Sequence, residues 1–237
     1  MTGWKPKRFW KAVTVQPADG GFAIHLDARP ARTPGKQPLV VPTNGLAQAI
    51  AAEWDAQHGP LRPETMPFTR AANSAIEKVA PQFAEVVGLL AAYGGSDLLC
   101  YRATGPQELI ARQATGWDPL LIWAATTLGA PLIVTSGVIP VAQPAASTTA
   151  LHDRTAALTP FQIAAFHDLV ALTGSLLLAL AVTHDRLAPD QAWLLSRIDE
   201  VWQAELWGID DDAAALAEAK RLDFHQAAAF WALCSPL

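Results

Sequence analysis

The sequence predicts an α+β protein with a small N-terminal antiparallel β-rich domain followed by a larger all-helical domain. Apolar residues in 9–41 alternate with other side chains at a period of two, which is typical of strands. After Met66 they recur at the helical period of 3.6. Residues 46–69 join the two patterns, so we predict domains at 1–66 and 67–237.

The N-terminal strands follow from turn residues placed between alternating runs. Pro17–Gly21 is rich in turn formers and separates two runs of a β-hairpin. These runs contain Val13 and Val15 before the turn, and Phe22, Ile24 and Leu26 after it. A further strand is predicted at Leu39–Val41. Because a sheet this short is marginal alone, we expect a helix beginning near Leu46 to cover one face.

The joint consists of that helix and an extended segment. Thr43 or Asn44 is the expected N-cap, and Gly59-Pro60 ends the helix. Three prolines, Pro60, Pro63 and Pro67, then keep the chain extended.

The remaining chain is predicted to be helical, with an extended connector at 131–144. The capping box Thr159–Gln162 starts one helix, Gly208 ends another, and Asp210 caps the last. The predicted helices lie near 69–79, 82–93, 106–128, 146–158, 160–172, 174–186, 189–207 and 211–233.

Charge and hydropathy exclude several function classes. The chain has 17 basic and 22 acidic residues, a net charge of −5, which argues against nucleic acid or an anionic membrane as main partner. Two cysteines without CxxC spacing indicate a reducing compartment. The N-terminus has no secretory signal, and the strongly apolar run Leu169–Thr183 is too short to span a bilayer. We therefore expect a cytoplasmic protein without membrane insertion.

No phosphate-binding loop, GxSxG or HExxH motif is present. The dipeptide His-Asp occurs three times, at His152, His167 and His184, which leaves a metal-dependent phosphohydrolase as an alternative function. Its spacing is unfavourable, because 17 helical residues from His167 to His184 rise by roughly 25 Å. A general scaffold without a fixed client is a third possibility.

The segment 189–207 holds the candidate binding residues. Drawn as one helix, it has an apolar arc of Leu194, Leu195, Ile198, Val201 and Trp202. Trp193 lies on the opposite side and is predicted to be an exposed aromatic anchor for a protein partner. Glu205 falls inside the arc, one turn after Val201. There it either pairs with a basic side chain or makes a polar contact within an apolar recognition surface.

The chain resembles the assembly chaperone of the ATP synthase catalytic head that binds the free alpha subunit, a family of mitochondria and alphaproteobacteria. The resemblance extends over nearly the whole chain, with Ala28 where the family often has Gly and Leu206 where a polar residue is common. The matching residues are Arg8–Lys11, Leu26–Pro30, Thr33-Pro34, Val41–Thr43, Glu53–Gln57, Met66-Pro67, Asp97–Arg102, Gln113, Trp117–Leu120, Thr173–Ser175, Asp199-Glu200 and Gln203–Gly208.

The resemblance implies a β-rich domain before a helical one and the ATP synthase alpha subunit as protein partner. The N-terminus shows no transit peptide, so we expect a bacterial rather than a mitochondrial member. It also implies no enzymatic activity, no cofactor and no nucleotide requirement. An acidic residue of the late helical segment is tied to chaperone function in this family. We place it at Glu205, with Glu200 as the alternative. The predicted partner-binding residues are Glu205, Glu200, Trp207, Trp193 and Asp210.

Overall fold

The computed structural model describes residues 7–235 and has the predicted α+β class, with an N-terminal antiparallel sheet followed by helices. Four strands form this sheet: β1 Val13–Ala18, β2 Gly21–Leu26, β3 Arg29–Pro30 and β4 Val40–Val41. The helices are α1 Asn44–Asp55, α2 Pro67–Ser74, α3 Phe83–Ala91, α4 Gln107–Trp123, α5 Ala145–Ala156, α6 Pro160–Thr173, α7 Leu176–Thr183, α8 Pro189–Ser196, α9 Ile198–Trp207 and α10 Asp211–Cys234.

The predicted hairpin is confirmed. Strands β1 and β2 are antiparallel, with Val13 opposite Leu26 and Ala18 opposite Gly21. Strand β2 also pairs with β3 and with β4, so it is the central strand of the sheet. Gly21 has a φ of +150°, and a Cβ there would lie 2.1 Å from the carbonyl oxygen of Val41. The glycine therefore allows β4 to approach β2 at the turn.

Helix α1 covers the sheet, as the sequence predicts. Thr43 Oγ1 accepts a hydrogen bond from the Leu46 amide at 3.1 Å and is the N-cap. The buried face of α1 belongs to the same apolar core as the sheet. The largest members of that core are Trp10, Ile24, Leu26, Leu39, Val41, Leu46, Ile50 and Phe230.

Two polar side chains of the joint fix the extended segment after α1. The Glu53 carboxylate accepts hydrogen bonds from the amides of Phe68 and Thr69 at 2.7 and 2.8 Å, at the start of α2. Gln57 is buried and accepts from the Arg62 amide at 2.9 Å while donating to Thr65. The side-chain oxygens of Glu53 and Gln57 thus accept from the backbone amides of Arg62, Phe68 and Thr69, which do not donate within a helix or strand.

The helices after the joint are interrupted by short π and 3₁₀ turns. One 3₁₀ turn, Pro63–Thr65, lies inside the joint, where the sequence predicted a fully extended chain. After the joint, the π turns are Ala75–Val79 and Ala124–Leu128, and the 3₁₀ turns are Ala80–Gln82, Ala92–Gly95 and Leu98–Cys100. The connector 131–144 includes β6 Thr135–Ser136, which pairs in parallel with β5 Tyr101–Arg102. The predicted helical character of the second half is confirmed, and this two-residue strand pair is an addition that the sequence did not predict.

The helix ends predicted from local sequence are confirmed. Thr159 and Gln162 exchange the two hydrogen bonds of a capping box at 2.9 and 3.3 Å. Gly208 ends α9 with a φ of +91°. Asp210 Oδ1 accepts from the amides of Asp212 and Ala213, both at 3.0 Å, and so caps α10.

The chain forms two compact units. The first holds the described residues up to Phe83 together with Thr159–Ala165 and the residues from Ala229 on, and the second holds Ala84–Leu158 and Phe166–Ala228. Later segments thus return to the first unit. The proposal of contiguous domains at 1–66 and 67–237 remains a prediction.

A buried carboxyl organises the start of α7 in the second unit. Asp97 accepts from Ser175 Oγ at 2.8 Å and from the amides of Leu99 and Leu177 at 3.0 and 2.9 Å. Burial raises the pKa of Asp97 to about 6, against the lowering effect of these hydrogen bonds.

One helical run of the described chain, Pro67–Cys100, is long and apolar enough to cross a membrane. This criterion uses length and composition alone and is weak evidence for a membrane span. Core helices of soluble proteins meet the same criterion.

Candidate functional site

Exposed apolar side chains are frequent in the late helices of the second unit. Trp207 is 79% exposed and Ile209 is 74% exposed, on either side of Gly208. Leu194, Val201 and Leu206 are also exposed. We call these five residues the late apolar residues. Removing large apolar side chains from water lowers the free energy. Several such side chains along one exposed segment are therefore typical of a binding surface.

The predicted helix 189–207 is interrupted, which changes the face that is buried. Ser196 Oγ donates to the Trp193 carbonyl at 2.7 Å, and the Arg197 amide donates to the Leu194 carbonyl in a 3₁₀-type bond of 3.2 Å. Arg197 has φ −112° and ψ 14°, outside the helical region. Bonds of this kind compete with the helical pattern, so the chain forms α8 and α9 instead of one helix.

The prediction of Trp193 as an exposed anchor is wrong. Trp193 is only 6% exposed, its ring lies 5.8 Å from that of Phe224, and the Arg197 guanidinium lies over it at 5.7 Å. Leu194, which the continuous helix placed in the buried arc, is 63% exposed. Trp193 belongs to the core of the second unit and is not available to a partner.

The apolar arc of the predicted helix lines an open groove between α4 and the pair α8–α9. The groove has a volume of about 580 Å³. Gly116 lies at its base, where a Cβ would approach Leu195 Cδ2 and Ile198 Cδ1 to 2.8 and 2.9 Å. The lining residues are Glu108, Ala111, Arg112, Thr115 and Gly116 from α4, and Leu194, Leu195, Ile198 and Val201 from α8 and α9.

Glu205 is paired with a residue of this groove. Arg112 Nη1 and Nη2 donate to the two Glu205 carboxylate oxygens at 2.9 and 2.8 Å. The hydrogen bonds from Arg112 lower the pKa of Glu205, and the same pair raises the pKa of Arg112. The Arg112 guanidinium also lies 5.0 Å from the centre of the Trp202 ring. Of the two predicted alternatives for Glu205, pairing with a basic side chain is therefore observed.

The other predicted site residues occupy separate positions along the same segment. Glu200 is half-exposed and forms an ion pair with Arg197 Nη1 at 2.8 Å. Asp210 caps α10, and Trp207 extends into solvent at the end of α9. The structure thus brings Glu205 to the groove, keeps Trp207 exposed, and assigns Glu200 and Asp210 local roles that leave their carboxylates accessible.

Sequence reasoning missed the polar contacts that hold α4 against α8 and α9. Gln113 is buried, donates to Asp199 Oδ1 at 2.6 Å and accepts from the Ala103 amide at 2.9 Å. Trp117 Nε1 donates to the Leu195 carbonyl at 2.9 Å. Gln113 and Trp117 are both among the residues of the family resemblance. Their helical spacing of four was the available indication that they share one face of α4.

The three His-Asp pairs do not form a metal site. His167 Nδ1 lies 2.8 Å from Asp168 of its own pair, and this hydrogen bond raises the pKa of His167. His184 Nδ1 lies 2.9 Å from the Leu180 carbonyl. Within the described residues, no group of three or more His, Cys, Asp or Glu side chains could hold a metal ion. The phosphohydrolase alternative therefore loses the arrangement on which it depended.

The two cysteines are unreactive thiols near neutral pH. Cys100 and Cys234 are both buried and free. Burial raises the pKa of each thiol to about 12, so neither is a reactive thiolate near neutral pH.

The fold and the groove define an α+β protein whose late helices present apolar side chains to solvent beside acidic ones. Residues 7–125 match the family model of the ATP12 chaperone protein. The chain belongs to the ATP12 chaperone family.

Individual relatives agree with this assignment. The protein atp12, mitochondrial, of Schizosaccharomyces pombe is 25% identical over 219 residues, which cover 87% of this chain and 75% of the relative. The crystal structure of Atp12 from Paracoccus denitrificans, and that of an aspartate-to-lysine mutant, are each 52% identical with a TM-score of 0.94. Both comparisons cover 97% of this chain and 98% of the other. The Atu1473 protein of Agrobacterium tumefaciens is 42% identical with a TM-score of 0.92, over 97% and 87% of the chains.

Proposed function

We propose that the protein is an assembly chaperone of the ATP synthase catalytic head, and that it binds and shields the free alpha subunit until the beta subunit replaces it. The observation that supports this most directly is the exposure of Trp207 and its apolar neighbours in a member of the ATP12 chaperone family. The proposal includes no catalysis and no cofactor. It places the protein in the cytoplasm of a bacterium, in line with its bacterial relatives of known structure.

The physical task explains the combination of exposed apolar and acidic groups. A subunit surface that is later buried against another subunit is apolar and associates wrongly while it is unpaired. Apolar side chains on the chaperone cover that surface, and polar groups at the margin allow the complex to dissociate. Affinity has to be moderate, because the beta subunit must displace the chaperone, and interfaces of ordinary size cover the range from μM to pM.

We propose Trp207, Glu205, Glu200 and Asp210 as client-contact residues, with Trp207 as the principal anchor. Tryptophan is enriched among residues that dominate binding energy, and this one is already exposed on a helix end. The carboxylates of the other three remain accessible despite their local contacts. Trp193, which is buried, is not part of this set.

Co-expression with the alpha subunit alone tests the proposal. We expect soluble alpha subunit to co-purify with the chaperone, and purified beta subunit to release it. Trp207→Ala should weaken the complex by about tenfold or more, the loss typical of an interface anchor. Glu205→Lys should weaken it as well. Ile122→Ala and Glu85→Lys are matched controls, since both residues are exposed on other helices of the second unit.

If alpha subunit remains equally soluble and equally competent to assemble without this protein, the proposal is wrong. If alpha subunit co-purifies but Trp207→Ala retains it as wild type does, the client lies on another surface. A scaffold without a fixed client would retain unrelated proteins as well as alpha subunit from cells that lack beta subunit.

A further inference from the structure

The groove between α4 and α8–α9 contains one charged side chain that has no partner within the described part of the chain. Two of its lining residues are charged, Glu108 and Arg112. Both terminal nitrogens of Arg112 are engaged by Glu205. Glu108, in the first turn of α4, has neither a hydrogen bond nor an ion pair to any residue between 7 and 235. The apolar lining of the groove is left uncovered, and the Glu108 carboxylate at one end has no partner. Such a groove is complementary to an apolar segment that carries a cation.

The chain around the groove strengthens this charge preference. Residues 198–219 contain seven acidic side chains and no Lys or Arg. Arg197, on the border of that segment, is already paired with Glu200 at 2.8 Å. The segment that begins in the groove lining at Ile198 therefore carries an excess of negative charge, which attracts basic polypeptide segments more than acidic ones.

The length of the groove indicates how much of a partner it holds. Glu108, Ala111 and Thr115 lie on one face of α4, and seven helical residues rise by roughly 10 Å. This is the length of two helical turns, so the groove accommodates two apolar side chains spaced by three or four residues, with a third position opposite Glu108.

We propose that the groove binds a short segment of the alpha subunit that presents two apolar side chains one turn apart and a Lys or Arg that pairs with Glu108. This inference rests on the proposed function, and it specifies the chemistry of the client segment. Leu194, Leu195 and Val201 contact the apolar side chains, and Glu108 selects the basic one. The Arg112–Glu205 pair closes the groove at the α9 side.

Two variants test the proposal without altering the fold. Glu108→Lys reverses the unpaired charge, and Glu85→Lys is its matched control because Glu85 is also exposed in the first turn of a helix. Ala111→Trp fills the groove from α4, and Ile122→Trp adds the same side chain at an exposed position of that helix outside the groove. Thermal unfolding of each variant verifies that it is folded.

The probes are purified alpha subunit and an array of peptides that tile the alpha-subunit sequence. We expect the wild-type chain to retain peptides that combine apolar residues with Lys or Arg, less strongly at high salt. Glu108→Lys and Ala111→Trp should each reduce retention of these peptides and of alpha subunit by about tenfold or more, while both controls bind as wild type does.

The outcomes separate this inference from the function on which it rests. If wild type binds alpha subunit, and Glu108→Lys and Ala111→Trp bind it equally well, the groove is not the binding site although the chaperone function stands. A preference for acidic peptides would also overturn the inference. If wild type does not bind alpha subunit at all, the proposed function itself fails.

Discussion

Helices α7 and α9 are both short and both belong to the second unit, yet they have opposite environments. All seven residues Leu176–Val182 of α7 are buried. In α9 the one buried residue is Ile198, although the helix also contains a valine, a leucine and two tryptophans. Apolar residues alone therefore do not decide whether a helix of this protein lies in the core.

The difference follows from what accompanies the apolar residues. Helix α7 has no charged side chain and is apolar around its whole circumference, so it is stable only inside the unit. Helix α9 has acidic residues on several faces, including Asp199, Glu200 and Glu205. Burying all of its apolar side chains would also desolvate these carboxylates, and their ion pairs and hydrogen bonds need not repay the cost of taking the charges out of water. Trp207 and Val201 remain exposed and available for binding.

The largest expected effect on stability comes from a substitution in the buried helix α7. Leu178→Ala in α7 removes a fully buried side chain and should lower the free energy of unfolding by about 2–5 kcal/mol. Leu194→Ala is the matched control, since the same change at an exposed leucine should stay within about 0.5 kcal/mol. Urea unfolding measures both. Equal destabilisation by the two variants would contradict the assignment of α7 to the core and of Leu194 to the surface.

The second prediction sharpens the role of Asp97 at the start of α7. The folded-state pKa of about 6 lies above the value of 3.8 expected without burial, so the folded state binds the proton more tightly. The resulting stabilisation is complete below about pH 4 and is lost as the pH rises through 6. Two pKa units correspond to about 3 kcal/mol.

Asp97→Asn cannot titrate, so this part of the pH dependence should disappear. Unfolding in urea at several values between pH 4 and pH 7 measures it, as the difference between wild type and variant. We expect the difference to shift with pH, with the wild type relatively more stable at the acid end. A difference that stays constant over this range would refute the raised pKa.

How much the sequence predicts depends on the distance between interacting residues. The hairpin, the Thr159 capping box and the Asp210 cap are confirmed because each depends on residues within a few positions of one another. The cover of the sheet by α1 follows from a short connection and a one-sided apolar pattern. These features are local, and turn and cap chemistry determines them.

The site is less predictable because its contacts are distant in the chain. Arg112 and Glu205 are 93 residues apart, and no pattern in either segment identifies the other. The break at Arg197 contains neither Gly nor Pro, and Ser196 inside the predicted helix was its one local indication. Treating 189–207 as one helix therefore assigned Trp193 to the wrong face, while the arc itself proved to be the lining of a groove.

The smallest expected effect on stability concerns the exposed helix α9 and its ion pair with α4. Exchanging the charges of the ion pair, with Arg112→Glu and Glu205→Arg together, keeps an ion pair between α4 and α9. Since the side chains of Arg112 and Glu205 are 38% and 50% exposed, we expect no measurable change in Tm. Retention of alpha subunit should nevertheless fall as it does in Glu205→Lys, because the carboxylate has left α9 and a cation has replaced it beside the exposed Trp207. Retention equal to that of wild type would mean that Glu205 acts only by holding Arg112, and would remove it from the set of client contacts.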